Sequence, residues 1–82
     1  MEQSKYLVLF FTQYGAINYS RLLKKTGIEN FTRPVPRSLS SSCGICVETQ
    51  TDQNLMNFLT EDVEGIYRVQ AEDYEMIYRS EE

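Results

Sequence analysis

Histidine and tryptophan are both absent from this chain of 82 residues. Without histidine there is no imidazole base, no imidazole metal ligand and no Ser-His or Cys-His catalytic pair. Cysteine occurs only at Cys43 and Cys46, and two sulfurs do not complete a tetrahedral zinc site within one chain. No metal and no cofactor is therefore expected. The four glycines are scattered, so no glycine-rich phosphate loop is present. No apolar run approaches the ~20 residues that span a bilayer, which excludes an integral helical membrane protein. The start, Met1-Glu2-Gln3-Ser4-Lys5, opens on an acidic residue and leads to a short apolar run without a small-residue cleavage site. That is not a secretory signal, and a cytoplasmic location is expected.

What is present is ordinary for a folded soluble chain: 41% apolar and 24% charged residues. The length allows one small domain with a modest core. Net charge is −4 but unevenly placed. Residues 1–47 hold six basic and two acidic side chains, residues 48–82 two basic and ten acidic. This polarity can orient the molecule toward a charged partner, and the overall acidity argues against nucleic acid.

The order of elements follows from periodicity and punctuation. Lys5–Phe11 is almost continuously apolar, too short for a helix, and reads as a central strand. Thr12 is a candidate N-cap for a helix running to about Lys25, with Ala16, Tyr19, Leu22 and Leu23 at helical spacing and Gly27 as its stop. Ile28–Arg33 reads as a weaker strand closed by Pro34 and Pro36. Residues 35–43 form a loop, and Ile45–Thr49 alternates as a third strand. Thr51 or Asp52 is expected to cap a second helix carrying Leu55, Met56, Phe58 and Leu59, followed by a fourth strand over Gly65–Val69. The pattern βαββαβ predicts an α+β, ferredoxin-like two-layer sandwich over residues 1–70. The acidic tail, 71–82, fits a short strand or arm better than a helix.

In that topology the third strand returns between the first two. The loop before it then lies at the same end as the N-terminus of the first helix. Arg33, Arg37, Ser41, Ser42, Cys43 and Gly44 would gather there with Thr12. Free N–H groups and arginines near a thiol favour the thiolate, the form that attacks or carries sulfur. The same donors could instead hold an anion such as phosphate or sulfate.

The segment Pro36-Arg37-Ser38-Leu39-Ser40-Ser41-Ser42-Cys43-Gly44 resembles the signature of the Se/S carrier protein-like family of small bacterial proteins. So do the opening strand, the helix end Leu22-Leu23-Lys24-Lys25-Thr26-Gly27-Ile28 and the approach Val63-Glu64-Gly65-Ile66-Tyr67. The resemblance implies a carrier role in sulfur or selenium metabolism, with Cys43 as the carrying thiol and donor and acceptor proteins as partners. The Cys-Pro-x-Pro motif of better-characterised sulfur carriers is missing.

Cys46 has three readings: a redox or resolving partner of Cys43, a metal ligand shared between chains, or a small core residue. Residues three apart on a strand point to opposite faces, so the two sulfurs meet only if Gly44 bends the chain. A non-catalytic interaction module is the alternative to a carrier, and a CxxC redox enzyme ranks below both. Nothing in the chain supplies the proton relay or cofactor fold of a stand-alone enzyme. Finally, Tyr6, Val8 and Phe10 face one way on the first strand and Leu7, Leu9 and Phe11 the other. Both faces call for burial, one against helix and the other against the tail, a second sheet or a partner. A homodimer is one expected solution.

Overall fold

The apolar run at the start of the chain takes the middle of the sheet. In the computed structural model, which describes residues 3–81, β1 (Ser4–Phe10) is followed by α1 (Gln13–Lys25), β2 (Asn30–Pro34), β3 (Ile45–Thr51), a 3-10 helix (Leu55–Phe58), β4 (Val63–Val69) and β5 (Tyr74–Arg79). Met1, Glu2 and Glu82, the outer ends of the expected N-terminus and acidic tail, lie outside the described residues. The fold is α+β, with one α-helix among the described residues and a five-stranded antiparallel sheet in the order β2-β3-β1-β4-β5. β3 lies between β1 and β2, so the loop between β2 and β3 returns to the end of the sheet at which α1 begins.

Local chemistry explains α1. The Thr12 hydroxyl accepts the Gly15 N–H at 3.0 Å, satisfying one of the free donors of the first turn. Lys24 and Lys25 occupy the last turn, opposing the negative end of the helix dipole. Gly27 follows at φ 82°, a left-handed conformation that glycine adopts without a Cβ penalty. Gly15 is buried for a different reason: a Cβ there would meet the Asp62 Cβ at 2.6 Å. Loop 60–62 therefore packs directly on the first turn of α1.

One of the sequence expectations fails, and the reason is physical. The second helix does not form. Thr51 stays in β3, and Asn54 rather than Thr51 or Asp52 caps a single 3-10 turn, accepting the Met56 N–H at 3.0 Å. Leu55 and Phe58 are three residues apart, the period of a 3-10 helix, and both pack on the core. Met56 and Leu59 are exposed, so no apolar stripe continues into further turns. The βαββαβ order is accordingly replaced by a sheet with a fifth strand, β5, which pairs with β4 from Gly65↔Arg79 to Val69↔Tyr74.

The sheet face away from α1 was expected to meet the tail, a second sheet or a partner. Val8 and Phe10 face α1, where they pack with Ala16, Tyr19, Leu23, Val47, Val63 and Ile66. Leu7 and Leu9 face the other way with Cys46, and all three are buried. Their cover comes from within the chain: Val35 and Leu39 of the β2–β3 loop, Tyr67 and Val69 of β4, and Tyr74 of β5. Of the covers expected for this face, the C-terminal tail supplies one, as Tyr74 of β5, and the β2–β3 loop joins it. Phe11 falls past the end of β1, where its N–H bonds the Asp62 carbonyl at 3.2 Å.

Candidate functional site

Cys43 lies in the last turn of the β2–β3 loop, before β3 begins. Gly44, at φ 80°, reverses the chain between the two. The Val35 N–H closes the base of the loop on the Gly44 carbonyl at 3.0 Å. The Cys43 side chain is half-buried and packs against the core under α1. Its thiol donates to the Ile45 carbonyl at 3.3 Å.

The residues just before it are held by the ends of two strands. The Ser41 hydroxyl donates to the Phe10 carbonyl at the end of β1, at 3.2 Å, and lies 3.9 Å from the Cys43 sulfur. Ser42 donates twice to one carboxylate: its N–H to Glu64 Oε1 and its hydroxyl to Glu64 Oε2, both at 2.9 Å. Glu64 is buried in β4, and its own carbonyl takes the Ser80 N–H at 2.9 Å. A buried carboxylate needs donors to offset desolvation, and Ser42 provides two.

Cys46 is placed differently. It is fully buried on the opposite face of the sheet, paired with Leu9 and clustered with Leu7, with its thiol 3.9 Å from the Pro34 carbonyl. Burial pushes this thiol up to about 11; the nearby Arg33 guanidinium opposes that and Glu48 adds to it. Both cysteines are free. Although Gly44 turns the chain, the two sulfurs lie in separate packing clusters on opposite sides of the sheet. No group of three or more metal-ligating side chains occurs among the described residues.

The remaining expected site residues divide in the same way. Ser41, Ser42 and Gly44 surround Cys43. Thr12 lies two residues beyond Phe10, at the end of the sheet that the loop meets, with its hydroxyl oxygen committed to capping α1. Arg33 pairs in register with Cys46, not with Cys43. It donates to Glu48 at 2.9 Å, and Lys5 approaches the same carboxylate at 3.8 Å. Arg37 stands exposed in a turn closed by the Leu39 N–H on the Pro36 carbonyl. At the Cys43 thiol the structure thus places the Ser41 hydroxyl and the Ile45 carbonyl, while Arg33 is engaged with Glu48.

Sequence reasoning missed Glu64. Its signal was an acid inside the apolar run Val63–Val69, a position that calls for a paired donor. The run of three serines elsewhere in the chain supplies that donor. A cleft of about 450 Å³, lined in part by Lys24, Asn30, Phe31 and Thr49, includes neither cysteine.

A family model described as "Putative Se/S carrier protein-like" matches residues 5–78. The chain belongs to that family. No curated protein and no solved structure matches it. The match spans β1 through most of β5, so it covers the cysteine loop together with the strands that hold it. Within this Se/S carrier-like chain, Cys43 is the more accessible of the two thiols.

Proposed function

We propose that this protein is a small thiol-based sulfur or selenium carrier, with Cys43 as the carrying residue and Cys46 as a packing residue. One observation carries the reading. Of the two thiols, Cys43 alone is partly accessible, and it sits in a loop tied to β1 and β4 by three side-chain hydrogen bonds. The family description supports the same role.

The chemistry is a sulfane transfer. A Cys43 thiolate attacks the terminal sulfur of a persulfide on a donor protein. A new S–S bond forms at Cys43, the donor's S–S bond breaks, and its electron pair leaves on the donor thiolate. No external oxidant or reductant is needed. The Ser41 hydroxyl is close enough to turn from the Phe10 carbonyl toward the sulfur once the Cys43 proton has left. An acceptor protein then takes the terminal sulfur, and selenium would follow the same path. On this reading the partners are donor and acceptor enzymes of the cytoplasm. The strand order β2-β3-β1-β4 supports a ferredoxin-like arrangement whose second helix is reduced to a 3-10 turn and whose sheet is extended by β5.

The test is intact mass spectrometry after incubation with a persulfide donor, on wild type, Cys43→Ser and Cys46→Ser. A gain of one sulfur in wild type and Cys46→Ser, lost in Cys43→Ser, is expected. No gain at either thiol would replace the carrier with a non-catalytic interaction module. Loss of two hydrogens on mild oxidation would instead indicate a redox pair.

A further inference from the structure

The double hydrogen bond between Glu64 and Ser42 has no role in the sheet ladder. It spans 22 residues of sequence and joins the residue immediately before Cys43 to the interior of β4. Each Glu64 oxygen takes one donor from the same serine, so the carboxylate fixes both the backbone and the rotamer of Ser42. Through Ser80 the Glu64 backbone is tied to the end of β5 as well. Ser42 itself is exposed, whereas its acceptor is buried. The loop is therefore held from beneath.

Cys43 follows directly in the chain. With Ser42 fixed on one side and Gly44 turned left-handed on the other, the thiol has one posture: half-buried, its proton donated to the Ile45 carbonyl. That posture covers part of the sulfur and aims it at the protein rather than at solvent. We propose that Glu64 is the positioning residue for Cys43, acting through Ser42 to hold the thiol sheltered from small-molecule reagents. The purpose rests on the carrier reading, since a carried sulfur lost to small thiols never reaches its acceptor. The geometry of the clamp does not depend on that reading. A partner that docks on the loop can release Ser42 and free the sulfur for transfer.

The experiment is site-resolved alkylation of Cys43 by iodoacetamide in the full chain, comparing wild type, Ser42→Ala, Glu64→Gln, the double variant and Ser42→Thr. Thermal stability is measured alongside. Ser42→Ala and Glu64→Gln should each react roughly fivefold faster than wild type, the rate equivalent of an ordinary coupling between contacting residues. The double variant should be no faster than either single one, because both act on the same hydroxyl–carboxylate bond while the residue-42 N–H donor remains in all three. Ser42→Thr, which retains both donors, should react at the wild-type rate. Because Ser42 is exposed, its alanine variant remains informative even where Glu64→Gln fails to fold. Unchanged rates, additive effects, or rates that merely follow loss of melting temperature would overturn the proposal. Iodoacetamide requires no persulfide chemistry. A coupled clamp without sulfur loading would leave this inference standing and remove the carrier, and the reverse result would do the opposite.

Discussion

Tyr19 is the largest fully buried side chain, and its hydroxyl has no hydrogen-bond partner among the described residues. Its ring packs against Phe10, with centroids 5.2 Å apart and planes tilted by 56°. Burying an unpaired hydroxyl costs roughly 1–3 kcal/mol, and Tyr19→Phe removes the oxygen while keeping the ring contact. Allowing for the small void left behind, the variant should be more stable than wild type by about 1 kcal/mol at neutral pH. For a chain of this size that corresponds to a melting temperature higher by roughly 4–8 °C. The same residue predicts a pH dependence. Burial pushes its phenol from the ordinary value near 10 up to about 12. Below pH 10 both folded and unfolded states keep the proton and the stability is full. Between 10 and 12 the unfolded state ionises first, so stability drains away as pH rises. Tyr19→Phe lacks this loss, and its advantage should grow by about 2 kcal/mol by pH 12. Urea unfolding of both proteins across that range is the measurement. A variant less stable than wild type at neutral pH, or one that loses stability with the same alkaline slope, would show that the hydroxyl is partnered and refute the reasoning.

Two further perturbations probe the frame around the site. Cys46, raised to about 11 from an ordinary value near 9, should resist alkylation in the folded protein. It should also contribute about 2–3 kcal/mol of stability that is lost as pH rises from 9 to 11; native alkylation mass mapping at pH 8.5 and unfolding curves of Cys46→Ala check both parts. Gly15→Ala should destabilise by roughly 1–3 kcal/mol, although alanine is the better helix former, because its Cβ meets Asp62 Cβ at 2.6 Å. Adding Asp62→Gly should recover most of that loss in thermal melts, whereas Asp62→Ala, which keeps the clashing atom, should not.

Much of the frame was legible in the chain itself because it is encoded locally. The run Tyr6–Phe10, too short and too apolar for a helix, announced a central strand. Thr12, the lysine pair at 24 and 25, and Gly27 marked both ends of α1 within a residue or so. The stretch 52–62 misled because Leu55, Met56, Phe58 and Leu59 satisfy a helical pattern for one turn only, and one turn cannot distinguish a 3-10 helix from an α-helix. The loop carrying Cys43 was assigned to the correct end of the sheet, since the return of β3 between β1 and β2 follows from connectivity.

What surrounds that thiol was a matter of tertiary structure. Arg33 and Arg37 share the β2–β3 segment with Cys43, and the expected topology gathered them with it at one end of the sheet. Strand pairing instead sets Arg33 beside Cys46 and Glu48 on the far side of the sheet. Glu64, which is distant in sequence, becomes the group that holds the loop. The cysteine spacing was equally open in the sequence, and in the fold the two sulfurs lie in different layers despite the left-handed glycine between them. The sequence by itself determined which thiols exist, that no histidine assists them, and where the main helix and strands run, because composition, capping and periodicity act over a few residues. Only the folded chain decided which thiol is sheltered, which is buried and which carboxylate governs the first of them, because those contacts join residues that only sheet pairing brings together.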